Sequence, residues 1–242
     1  MKKSSPLILF GIAAVVILFL VGNQYFMKNK GPVNSNSLNE PLNTTGELDI
    51  AVCDPANGPF SNVIDNEFFP YPVGTVYVLE EEGGARVEIS ALDETELVSG
   101  VSTRVIEERE WEGGELAEVS RNFFAQASDK TVCYFGEEVD DYKNGEIVGH
   151  GGAWRAGVGE NKAGIIMPGT PLVGQSYQQE VAPGVAMDSA RHEAMNETFT
   201  TPFGTFVDVL LVQEQPSSTK RYQRGFGLIY DDGAVLTEIR TE

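Results

Sequence analysis

The sequence predicts an all-β domain, a single antiparallel, strongly twisted sheet closed into a barrel or sandwich, preceded by one N-terminal transmembrane helix. Three observations predict it. Beyond Gly74, apolar residues alternate with period two in short stretches. Glycine-containing turns separate these stretches, and nothing after residue 30 carries a sustained 3.6-residue apolar pattern with caps. Upstream, an apolar run without charges directly follows Met1, Lys2 and Lys3.

Residues 7–27, at about 1.5 Å each, make a helix of roughly 31 Å, enough to cross a hydrocarbon core of about 30 Å. Lys28 and Lys30 follow with no small-x-small cleavage pattern and no cysteine to carry a lipid, so residues 1–30 read as an uncleaved signal anchor rather than a cleaved signal peptide. The domain behind it is then extracytoplasmic on a single-pass cell-membrane anchor, or secreted if the signal is removed. Residues 31–46 are Asn, Ser, Thr, Pro and Gly with scattered Leu, the composition of a flexible linker.

Residues 47–242 form the β domain. Val76 and Val78 alternate with Tyr77 and Leu79, and Gly83-Gly84 turns the chain into residues 86–90. Val101, Thr103 and Val105 lead to Trp111, and Gly113-Gly114 returns the chain through Leu116 to Phe123 and Phe124. Residues 131–139 are the next strand, and Asn144-Gly145 is a strong hairpin cue. Residues 206–214, bounded by Pro202 and Pro216, then 220–223, 226–230 and 235–239 complete the series. Residues 185–195 suit helix and strand equally. No repeat of 20 to 50 residues occurs, which argues against a propeller or solenoid.

Hydrophobic residues make up 41% of the chain, enough for a buried core. Removing Lys2, Lys3, Lys28, Lys30 and Glu40 from the totals of 17 basic and 36 acidic residues leaves 13 and 35 over 47–242, a net charge near −22. Such a field repels phosphate backbones and anionic lipid head groups, so nucleic acid is not a partner and cationic partners are favoured. Cys53 and Cys133 suit an oxidising compartment; they either pair or stay as two thiols.

No catalytic constellation emerges. His150 and His192 have no zinc spacing to another ligand. Gly174 and Ser176 lack the second glycine of a nucleophile elbow, and residues 157–162 lack the strand-to-helix context of a phosphate loop. Residues 140–151 fail as a calcium loop, because Tyr142 stands where an oxygen ligand is needed and Gly151 where a bidentate Glu belongs. No metal or cofactor is implied. Adjacent carboxylates such as Glu107-Glu108, Glu137-Glu138 and Asp231-Asp232 read as solvated faces and turns. The stretch from His150 to Met167 joins a base, an aromatic, a cation and an apolar patch in a long loop, which makes His150, Trp154, Arg155 and Met167, with Phe123 and Phe124, the candidate ligand-binding residues.

Several strings recur in the order seen in an uncharacterised family of exported, membrane-anchored bacterial proteins. They are FFPYPVGTVY at 68–77, YFGE at 134–137, GAWRAGV at 152–158, AGIIMP at 163–168, YQQEVAPGVAMD at 177–188, PFGTF at 202–206 and GFGLI at 225–229. The chain resembles that family over most of 66–229. It departs at Gln223-Arg224, where the family has Ala-Pro, and at Cys133, where Trp is common. The resemblance implies an exported all-β domain and transfers no activity.

Three functional readings follow. The first is a binding or interaction domain of the cell envelope, reaching the membrane through the N-terminal helix and taking a cationic, apolar or envelope-protein partner. The second is a structural or accessory envelope subunit. The third, a carboxylate-dependent envelope hydrolase, requires two carboxylates facing across a cleft roughly 5 to 10 Å apart.

Overall fold

Successive alternating segments here are linked by turns that only positive-φ residues can make. The computed structural model of the chain describes residues 46–241. In it Asn144 and Gly145 have φ of 53° and 79°, and Gly113 and Gly114 have 57° and 85°. Positive φ at both central residues is what a two-residue hairpin loop needs to match the right-handed twist of its strands. The first turn joins β6 (Val132–Lys143) to β7 (Glu146–Gly149), and the second joins β4 (Val101–Glu112) to β5 (Glu115–Ala127). Before them run β1 (Phe60–Ser61), β2 (Thr75–Glu80) and β3 (Arg86–Val98).

After β7 come β8 (Trp154–Arg155), β9 (Lys162–Met167), β10 (Ser176–Gln178), β11 (Glu180–Val181) and β12 (Ser189–Thr200). The C-terminal run is β13 (Thr205–Gln215), β14 (Ser218–Gln223), β15 (Gly227–Asp231) and β16 (Ala234–Thr241). The expected all-β class is what the structure shows. Its regular helix is limited to two short 3-10 turns, Ile50–Cys53 and Pro55–Asn57, among the described residues. The ambiguous segment 185–195 resolves as a turn followed by β12. Ala190 and His192 point to the core while Arg191 and Glu193 are exposed, a period of two that no helix could satisfy.

The strands form one antiparallel sheet in the order β10-β12-β13-β14-β15-β16-β2-β3-β4-β5-β6-β9-β11. Pairing of β16 with β2, from Val235 opposite Glu80 to Thr241 opposite Thr75, brings the end of the domain beside its beginning. The two ends of the sheet, β10 and β11, are consecutive in the chain and meet at Gln179, so the sheet returns upon itself as a nearly closed barrel. Gly164 of β9 permits this seam, because a Cβ there would lie 2.4 Å from the Gln179 carbonyl oxygen. Closure hides the edges that a long open sheet would expose.

Residues 66–71 cross the barrel. Asn66 Nδ2 donates to the carbonyls of Lys130 (2.9 Å) and Pro168 (3.0 Å) on one side. On the other, Leu228 N donates to the Tyr71 hydroxyl at 3.4 Å and Gly225 N to the Glu67 carbonyl at 2.7 Å. A line of ring contacts 4.8 to 5.3 Å apart then runs from Tyr71 through Phe69, Phe124 and Tyr134 to Trp154. On the opposite face of the sheet, β1 lies along β5 and Phe60 meets Phe135 edge-on at 5.5 Å. There Cys53 is joined to Cys133 by a disulfide with Cα atoms 5.5 Å apart, tying the first 3-10 turn to β6.

Residues 1–30, proposed as anchor, and nearly all of the linker lie outside the described residues. No helix among the described residues is long and apolar enough to cross a membrane.

Candidate functional site

Alternation fixes which side chains point into the barrel. On β4 and β5 the inward sets are Ile106 and Glu108, and Glu118, Ser120, Asn122 and Phe124. Across the lumen, β13 and β14 keep Leu210, Val212 and Glu214, and Ser218, Lys220 and Tyr222, in phase on their buried faces. Of these, Glu214, Lys220 and Tyr222 reach a central cavity of about 60 Å³, where Asp231 of β15 joins them. Glu137 of β6 and Gln179 of the seam complete its polar lining. The space holds several waters or a ligand of a few heavy atoms.

The charges inside are unequal. Lys220 Nζ donates to Asp231 Oδ2 at 2.7 Å and lies 3.8 Å from Glu214 Oε2. Burial disfavours its charge, yet the two carboxylates outweigh burial and hold the lysine well above its ordinary range. Glu214 also accepts from Gln179 Nε2 at 2.6 Å. Against this one cation stand five lining carboxylates, and Glu137 Oε1 and Asp231 Oδ1 are buried with no hydrogen-bond partner. A buried unpaired charge is expensive, and burial accordingly favours the protonated form of Glu137.

Burial pushes Glu108 up to about 7, with Asp231 and Glu214 adding to it against the opposing pull of Lys220. Burial, then Asp141 and Glu108, raise Glu118 to about 8. Glu137 is driven well above the carboxylate range by burial and by Glu180, and the nearby Tyr134 hydroxyl gives its proton elsewhere. That hydroxyl donates to Asn122 Oδ1 at 2.6 Å, and Asn122 Nδ2 donates to Ser120 Oγ at 3.1 Å, a short polar chain along the wall.

At the seam, Glu180 lies against Asp188, and burial together with this neighbour raises Glu180 to about 8. Burial likewise raises Asp188. Both Glu180 oxygens lack a conventional donor. Burial and mutual repulsion both favour a protonated form of this pair. His192, also at the seam, is fully buried, bonded through Nε2 to the Tyr177 hydroxyl at 3.0 Å and through Nδ1 to the Leu172 carbonyl at 3.2 Å; burial lowers it to about 4, which keeps it neutral.

Compared with known proteins, the chain matches no family model, no curated protein and no solved structure. Its chemistry rests on its own residues.

The six residues singled out from the sequence do not converge. Phe124 lines the cavity, and Trp154 packs edge-on against Tyr134 with its indole N–H beside Glu180 and unpartnered. Arg155 lies on the outer face, paired with Glu96 at 2.7 Å and with Glu138, its guanidinium 4.7 Å from the centre of the Phe123 ring. Met167 is fully buried and is not among the lining residues, where its neighbour Ile166 appears. His150 is exposed, its Nδ1 shared between the Val139 carbonyl (2.8 Å) and Asp140 (3.0 Å). The long loop is therefore split by the sheet, because β8 and β9 pair with β6 and send alternate residues to opposite faces.

Reading most adjacent carboxylates as solvated faces is corrected for Glu107, Glu108, Glu137 and Asp231. The missed signal was phase. Glu214 stands two and four residues beyond Val212 and Leu210, on the apolar parity of its strand, and Glu118 and Glu108 stand on the parity of Phe124 and Ile106.

Proposed function

We propose that this chain is a membrane-anchored, extracytoplasmic binding module of the cell envelope, and that the barrel lumen is its ligand site. The observation that carries the reading is a lumen lined by titratable groups, two of which keep a buried oxygen without a partner. A core serving packing alone would be apolar or fully satisfied, since each unsatisfied polar group costs about 1 to 3 kcal/mol. Small-molecule sites combine apolar and aromatic walls with a few placed polar groups, and Phe69, Tyr71, Phe124, Tyr134 and Tyr222 supply the walls here. The anchor supports the location, and the acidic exterior fits a soluble domain held off an anionic membrane.

The test is thermal unfolding of the detergent-solubilised full chain against small polar, cationic and apolar compounds. A ligand at about 100 times its dissociation constant adds about 2.7 kcal/mol, a shift of a few degrees. A sharp transition that no compound moves would sink the reading. Protease treatment of intact cells tests location, with cleavage of the domain from outside expected.

A further inference from the structure

We propose that the lumen binds a small organic ammonium ion, held by the carboxylates of Glu137 and Asp231 and by the faces of the surrounding aromatic rings. This rests on the reading of the lumen as a ligand site and names the ligand class. Three features select a cation. Glu137 and Asp231, 3% and 6% exposed, both line the cavity, and each has one buried oxygen with no hydrogen-bond partner. The one resident cation, Lys220, is bonded to Asp231 Oδ2 and leaves Oδ1 unmet. Phe124 and Tyr134 line the wall, stacked on each other at 4.8 Å, and aromatic rings beside carboxylates are the pairing that recognises ammonium groups.

An organic cation fits better than a metal ion. Among the described residues no three His, Cys, Asp or Glu side chains converge closely enough to hold a metal. Carboxylates spread around the wall instead suit a ligand that distributes its charge over several contacts and fills about 60 Å³.

Binding is coupled to protons. Every titratable group facing the lumen bears on this: Glu108 from β4, Glu118 from β5, Tyr134 and Glu137 from β6, Glu214 from β13, Lys220 and Tyr222 from β14, Asp231 from β15, and Tyr71 from the crossing segment. The tyrosines, raised by burial, stay protonated and Lys220 stays charged. Only carboxyls change state near neutrality, and an entering cation favours their ionised form. Ammonium binding therefore releases protons and tightens as pH rises from 6 to 8.

Calorimetry on the detergent-solubilised full chain tests this with two pairs of similar shape, ethanolamine against ethylene glycol and choline against 3,3-dimethylbutan-1-ol. Saturable binding of at least one ammonium compound, at least tenfold tighter than its neutral counterpart and weakened tenfold or more in Glu137→Gln, is the expected result. Proton release by the unmodified chain, read in buffers of different ionisation enthalpy, is a second readout that does not depend on the variant folding. Equal binding of the neutral counterparts, or affinity flat between pH 6 and 8, overturns the cation assignment while leaving the lumen a binding site. No binding by either member of both pairs overturns the ammonium assignment, and the wider unfolding screen then decides the ligand-site reading separately.

Discussion

The two faces of the sheet bury comparable side chains and solve opposite problems. On the outer face, under the N-terminal segment, Cys53, Cys133, Phe135 and Phe60 form an apolar, covalently fastened region, and charges near it such as Arg155 are paired and stacked at the surface. On the inner face, Glu108, Glu118, Glu137, Glu214 and Asp231 surround a single lysine. The first face is arranged for stability. The second gives stability up, since a well-packed apolar replacement of buried charges is often neutral or better, and that difference is what the proposed ligand site rests on.

The largest effect should come from the outer face. Replacing Cys53 and Cys133 by Ser opens a loop spanning 80 residues of sequence and should cost about 4 to 5 kcal/mol, read as a lower denaturant midpoint. An unchanged midpoint would mean that packing alone holds this face. On the inner face, Lys220→Met leaves Asp231 and Glu214 uncompensated and should cost about 3 kcal/mol at pH 8. The loss should shrink as pH is lowered, because a carboxyl that takes up a proton no longer needs the lysine's charge; a pH-independent loss would show that the lysine acts through packing.

A third test concerns pH itself. Glu118 and Glu180 titrate near 8 in the folded chain and near 4.5 when unfolded. A raised carboxyl contributes stability that is fully present below the unfolded value and is lost as pH climbs through the folded one. His192, lowered to about 4, acts in the opposite sense but only below about 6.5. Between pH 6.5 and 8.5 the domain should therefore lose on the order of 2 kcal/mol for each of these two carboxyls, measured by denaturant titration. A rise over that interval would contradict the protonated lumen. The smallest effect is expected from Glu137→Gln, which keeps the shape and removes a charge with no donor at Oε1. At pH 8.5 it should stabilise by about 1 kcal/mol, and at pH 6 by less. Marked destabilisation at both would indicate a bond that only the carboxyl makes.

Much of the fold was legible in the residues. Asn144-Gly145 and Gly113-Gly114 mark hairpins because few other pairs accept two positive φ angles. The runs around Val76, Val105 and Leu210 alternate because one side of each strand is buried. Segment 185–195 was ambiguous because Ala and Met suit helices, and the inward phase of Ala190 and His192 acquires meaning only beside β13. The site was less legible. A single strand shows which carboxylates share a parity with apolar residues, but inward and outward are defined only once the sheet has curled.

The sequence by itself determined the acidic β character, the positions of the turns, and a long apolar N-terminal segment, since each depends on local periodicity, local backbone preference or composition. Only the tertiary structure decided that β16 pairs with β2, that β10 and β11 close the seam at Gln179, and that Glu108, Glu137, Glu214, Lys220 and Asp231 share one cavity. Those contacts join residues far apart in the chain, and closure of the sheet, which no local preference encodes, is what turns carboxylates scattered over five strands into one site.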